Sequence, residues 1–211
     1  MKERKSTVNE KLEGEYTSYF SNGQVMVRMN FVNGLREGNA ASYYENGQMR
    51  EKGVFKNDAL DGEYISYHEN GQIREIEHYK NGKLDGKYTA YFPNGQIKDV
   101  EHFKEGKFHG EYVSYYKNGQ TREKGAFIRD KRAGEYMAFD RNGKVKEKAT
   151  FKNGKPEGGG QFLNGGLPEA DDEEDFMAPA TGLKSLKEKE KKIDDLLRSL
   201  REFDKDEEEA R

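Results

Sequence analysis

The residues suited to metal or acid–base chemistry are four histidines and a set of recurring carboxylates. His78 and His102 are 24 positions apart in equivalent contexts. On a hairpin repeat that means two strands apart, roughly 9–10 Å. Two ligands at about 2.1 Å from one ion do not span that gap. His109 falls in a connection and His68 stands where an aromatic is expected, so no metal site is predicted. The carboxylates Glu51, Glu75, Asp99, Glu123 and Glu147 each follow a basic residue: Arg50, Arg74, Lys98, Arg122 and Lys146. A glycosidase-type acid pair needs a cleft that shifts one pKa, and an acid repeated in copy after copy has no unique cleft. On strict strand alternation each acid points away from its basic neighbour and shares a face with the residue two positions before it. There it either accepts hydrogen bonds from tyrosine hydroxyls, fixing the register, or stays partly solvated. Ser18, Ser42, Ser66 and Ser114 also recur, without a uniquely placed base, and read as small residues beside large rings. No glycine-rich phosphate loop is present. The expectation is therefore no catalytic residue, no cofactor and no enzyme.

These recurrences share one frame. Gly14, Gly38, Gly62, Gly86, Gly110, Gly134 and Gly158 are spaced 24 residues apart, the signature of a repeat array. Three aromatic columns keep the same frame. One holds Tyr19, Tyr43, Tyr67, Tyr91, Tyr115 and Phe139; a second holds Phe31, Phe55, Tyr79, Phe103, Phe127 and Phe151; a third holds Tyr16, Tyr64, Tyr88, Tyr112 and Tyr136, with Ala40 as the exception. An Asn-Gly column runs from Asn22-Gly23 to Asn142-Gly143.

Asn-Gly between two apolar runs favours a type I′ turn, which needs positive φ at both central residues. In the third copy this predicts strands over 63–68 and 72–79. The longer connection from Lys80 to Gly86 leads to the next hairpin, with Gly86 supplying a permissive backbone. The predicted fold is all-β: an elongated, single-layer antiparallel meander of about twelve strands from six hairpin units, plus a C-terminal α-helix. Residues 1–166 form the array. Met1–Thr7 aligns with Val145–Phe151 as a polar half-unit at one end, and Gly158–Asn164 is a degraded seventh unit at the other.

Composition agrees with a thin sheet. Only 32% of the 211 residues are hydrophobic and 36% are charged, so burial must come from tyrosine and phenylalanine. Net charge is −3 with the two signs interspersed. No basic stripe stands out in the linear sequence, which argues against nucleic acid. There is no cysteine, hence no disulfide or thiolate chemistry. No run approaches the roughly 18 apolar residues of a membrane span, so a membrane partner is not expected. With Met1 as the native start, the lack of an apolar leader points to the cytoplasm. Residues 167–182 read as an acidic flexible linker, 183–203 as an amphipathic helix and 204–211 as a charged disordered tail. Leu186, Ile193, Leu196, Leu200 and Phe203 form the helix stripe, broadened by Leu197. That stripe needs a surface: the array, a second copy or another protein.

The unit, with Gly-x-Tyr, Tyr-Tyr, Asn-Gly-Gln, a basic–acidic pair, an aromatic and Asn-Gly-Lys-x-x-Gly, resembles the MORN-repeat variant family of bacterial proteins across residues 9–166. The resemblance implies a scaffold. Many members carry a YwqK-family antitoxin label, which implies neutralisation of a toxin. The leading expectation is a non-enzymatic protein-binding scaffold using Tyr43, Tyr67, Tyr91 and Tyr115 with the helix stripe, and self-association through the helix as an option. Toxin neutralisation and carbohydrate or envelope-surface binding are the alternatives.

Overall fold

A computed structural model describes residues 3–4, 6–8 and 11–157. Contacts divide the chain into Met1–Gly165 and Gly166–Arg211, and all described residues lie in the first unit. The expected C-terminal helix, linker, tail and degraded seventh repeat lie outside the described residues.

Eighteen strands form one antiparallel sheet in which long strands pair with their neighbours along the sequence, and no pairing closes it. The third unit is representative. Its first strand, Gly62–Tyr67, pairs with its second, Ile73–Lys80, from Gly62↔Tyr79 to Ser66↔Glu75. The second strand then pairs with Gly86–Tyr91 of the next unit. Twenty strands are described instead of the expected twelve or so. Two-residue pieces make the excess; those between hairpins, such as Lys83–Leu84, fold back on the strand before them and then kink. Gly86, at φ 128°, supplies the kink. At the N-terminal end Glu3 pairs with Ser18 as Glu51 pairs with Ser66, so the aligned half-unit does occupy a second-strand position.

The two turn classes exchange roles relative to the sequence reading. Asn81 and Gly82 both have positive φ, 50° and 75°, and lie directly between the paired Lys80 and Lys83. This second Asn-Gly is the two-residue primed turn. At the first Asn-Gly only Gly71 has positive φ. The His68 amide donates to the Gln72 carbonyl at 2.8 Å and the Gly71 amide to the His68 carbonyl at 2.9 Å, which makes a longer loop ending on a left-handed glycine. The reason is span: five residues separate the strands here, so the loop holds an ordinary turn and needs positive φ only at its close.

Both turn edges are stitched from unit to unit. At the primed turns, Gly82 N donates to Leu60 O at 2.8 Å and Gly106 N to Leu84 O at 2.8 Å. Side chains of Glu13, Glu37, Asp61 and Asp85 accept the amides of Asn33, Asn57, Asn81 and Glu105. Two turns end in Asp instead of Gly, at φ 67°. There Asp58 Oδ1 accepts from Arg36 N and Nε, each at 2.9 Å, and Asp130 Oδ1 accepts from Phe108 N at 2.9 Å. These bonds offset the roughly 1–2 kcal/mol of left-handed strain. At the other edge Asn22, Asn70 and Asn118 each donate Nδ2 to a carbonyl of the next loop.

Most buried side chains share one face. Leu60, Leu84, Phe103, Phe108, Tyr112, Phe127 and Tyr136 are all under 9% exposed. Phe103 meets Phe108 at 4.4 Å between ring centroids, and Phe108 meets Phe127 at 5.3 Å. Rings of successive units thus bury one another, as the columns imply.

Asn81→Val, a β-branched side chain at positive φ, is expected to lower stability by about 1–3 kcal/mol. The same change at Glu69, where φ is not positive, should cost much less; denaturant midpoints of the two variants make the comparison.

Candidate interaction surfaces

The carboxylate column sits on the aromatic face. Ser42 Oγ donates to Glu51 Oε1 at 2.9 Å, and the Tyr64 hydroxyl donates to Glu51 Oε2. Ser66 Oγ donates to Glu75 Oε2 at 3.1 Å, and the Tyr88 hydroxyl to Glu75 Oε1 at 2.9 Å. The Tyr136 hydroxyl donates to Glu123 Oε2 at 3.0 Å. Serine, acid and tyrosine come from three successive strands, so each acid clamps one unit to the next. The expected tyrosine-to-acid bond is therefore present. The serines are not mere spacers: Ser66 is fully buried and needs a partner, which the carboxylate opposite supplies.

Strict alternation fails at the basic residue. Ser66 pairs with Glu75 but Tyr67 pairs with Ile73, leaving Arg74 as the extra residue of a β-bulge. A bulge turns two consecutive side chains toward one side. Arg74 Nε consequently lies 3.5 Å from Glu75 and donates to Ser66 Oγ at 3.3 Å. Arg122 likewise reaches Ser114 Oγ at 3.2 Å and Glu123 at 3.7 Å. The same register shift recurs in every unit.

Burial, reinforced by neighbouring carboxylates, raises the phenol pKa of Tyr64, Tyr79 and Tyr88 well above the ordinary 10.0. Burial also raises Tyr112 and Tyr136. Tyr79 donates to Glu77 at 2.5 Å, and Glu77 is 0% exposed. The sequence reading missed Glu77; its signal was an acid two positions before an aromatic in the columns that bury. It also missed the second ring of each Tyr-Tyr pair. Tyr44 and Tyr116 donate to Tyr67 O and Phe139 O at 2.7 and 2.8 Å. His68 occupies that column and lies 3.2 Å from Tyr91 O, so it does replace an aromatic.

Tyr43, Tyr67, Tyr91 and Tyr115 end the first strands beside the bulge and are half-buried. They point to the face opposite the carboxylate clamps, where Ile65 and Thr89 are buried and Ile76, Val100 and Val113 half-buried. The helix residues Leu186, Ile193, Leu196, Leu197, Leu200 and Phe203 lie outside the described residues. Among the described residues no group of three or more His, Asp or Glu is placed to hold a metal ion. Nor, among them, is any helix long and apolar enough to cross a membrane.

Six successive segments, 12–33, 36–57, 60–81, 84–105, 108–128 and 132–153, match the family model described as MORN repeat variant. Together they cover more than half of the chain. The chain belongs to the MORN repeat variant family. No curated protein matches it. Four of the matched segments, 12–33, 36–57, 60–81 and 84–105, run from the end of a two-residue strand through the bulged hairpin into the next primed turn, so each holds the serine and acid columns of a clamp whose tyrosine column falls in the next segment.

Within the array the clamp at Tyr112 is incomplete. The Tyr112 hydroxyl is buried without a hydrogen-bond partner among the described residues, and the acid in its partner column is Asp99, one methylene shorter than its equivalents. Tyr88→Phe removes a made bond and should cost about 1–3 kcal/mol, whereas Tyr112→Phe should be close to neutral. Asp99→Glu should stabilise by about 1 kcal/mol by restoring the acceptor. Denaturant unfolding of the three variants decides.

The folded phenols hold their protons above the unfolded value of 10.0. Their contribution is complete below pH 10 and is lost as pH rises further. Stability should fall by up to about 1.4 kcal/mol per pH unit for each such tyrosine. Tyrosinate absorbance and unfolding midpoints should move together above pH 10, and a flat stability profile there would contradict the clamps.

Proposed function

We propose that the protein is a non-enzymatic scaffold that binds protein partners through Tyr43, Tyr67, Tyr91 and Tyr115 and through the apolar stripe of residues 183–203. The observation that carries this reading is where the polar groups go. The recurring acids, serines and tyrosines of the aromatic face bond one another across units, so that face is occupied with holding the array together. The opposite face repeats half-buried tyrosines beside Ile76, Val100 and Val113, and such rings provide contact area at low entropic cost. Repeats of this family commonly bind proteins or membranes, and an array presents one surface many times. Neutralisation of a toxin is the narrower form of the same reading, tested by rescue of growth on co-expression.

The direct test compares the full chain with two variants by crosslinking and mass spectrometry in the source cell. One carries Tyr67→Ala, Tyr91→Ala and Tyr115→Ala; the other carries Ile193→Asp, Leu196→Asp and Leu200→Asp. Loss of the same protein by at least about tenfold from either variant, at an unchanged melting temperature, is expected. Identical partner sets for all three chains would rule the reading out.

A further inference from the structure

Lysines that the linear sequence scatters among acids fall into one row. Lys80 pairs directly with Lys83, Lys104 with Lys107, and Lys152 with Lys155, each pair flanking a primed turn. All six are exposed, and alternation puts them on the face opposite the aromatic core. The row continues between hairpins. A Cβ built on turn residue Gly106 would lie 3.9 Å from Lys83 Cβ, and one on Gly154 would lie 3.5 Å from Lys131 Cβ. The Lys83 and Lys131 stems are thus rooted against the next turn, and each lysine pair gives about one positive charge per strand, or per 4.8 Å.

The fold does not require these lysines. The first unit has Val32 opposite Leu35, and the second has Lys56 opposite Ala59. Like charges placed directly opposite destabilise a hairpin. Among the described residues Lys80, Lys83, Lys104 and Lys107 form no ion pair, while Lys152 lies 3.7 Å from Glu157. A charge pattern that opposes folding, is absent from sibling hairpins and, at Lys80, Lys83, Lys104 and Lys107, makes no ion pair with the edge carboxylates Asp61, Asp85 and Glu105 is one that an external anion would complete.

We propose that this primed-turn edge is a docking site for an acidic polypeptide segment. Its occupant is narrow and carries carboxylates along one side. On a helix, acids three and four residues apart recur about every 5–6 Å, close to the lysine spacing. An anionic membrane fits less well, because Glu63, Glu111 and Glu135 are exposed on the same face and a plane would press against them. Nucleic acid fits less well too. Among the described residues the edge offers no phenylalanine or tyrosine on this face for base stacking, and the paired cations are lysines without the guanidinium fork that grips phosphate; Arg129, exposed in the Ile128–Lys131 turn, lies outside the paired row. The site is separate from the tyrosine row, which lies at the other turn edge.

The test uses the full chain and fluorescent poly-L-glutamate, read by anisotropy, alongside a mixed-sequence single-stranded oligonucleotide and phosphatidylserine vesicles. The decisive variant carries Lys83→Glu and Lys107→Glu. It turns two like-charge pairs into opposite-charge pairs, so its melting temperature should rise while poly-L-glutamate affinity falls at least about tenfold. A control with Lys117→Glu and Lys144→Glu, of equal net charge and at the other edge, should keep affinity within about twofold. Equal loss in both variants would mean net charge alone is read, and overturns the site. So would no binding of poly-L-glutamate, or tighter binding of the oligonucleotide or the vesicles.

Discussion

A carboxylate at the middle of a half-buried strand must be supplied with donors, and the array is built around meeting that need. A single sheet has no second layer to provide them, so they come from adjacent strands: a serine from one side, a tyrosine from the other, and an arginine swung round by a bulge. Glu51 and Glu75 show the full set. Because the donors belong to different units, satisfying the acid also fixes how units stack. Leaving such a group unpaired would cost several kcal/mol, which makes a one-residue register slip prohibitive.

The repeats provide their own comparison. Where the acid column holds Val27, the tyrosine thirteen positions later is Ala40. Both partners are gone together, and an apolar pair replaces a hydrogen-bonded one, a change that can be nearly neutral when made on both sides. Ser18, facing Val27, is then a buried hydroxyl without a partner among the described residues. Tyr112 is the other such group, and it faces the one shortened acid of the column. The two unsatisfied side chains of the described array therefore both lie where the clamp departs from its pattern.

This division of labour separates the two faces of the sheet. The aromatic face is spent on cohesion, its tyrosine hydroxyls held by acids and carbonyls of neighbouring units. The other face carries what cohesion does not use: the strand-end tyrosines near one turn edge and the lysine row along the other. The same 24-residue translation that repeats the clamp repeats these rows, so the rows and the clamps share one period without sharing side chains.

The sequence by itself determined the period, the hairpins, the aromatic columns and the tyrosine-to-acid bonds, because these follow from residue type at fixed spacing and from strand pairing that the frame imposes. Even the half-unit at the N-terminal end was legible, from the alignment of Glu3 with Glu147. The tertiary structure decided the rest. Asn-Gly permits positive φ at both residues but does not demand it; the number of residues left between paired strands chooses, and that placed the primed turn at Asn81-Gly82. Strict alternation separates Arg74 from Glu75, and only the bulge, a property of two paired strands, brings them together. The lysines are dispersed along the chain and become a row only when hairpins lie side by side, since charge proximity across a sheet depends on register and not on distance along the sequence.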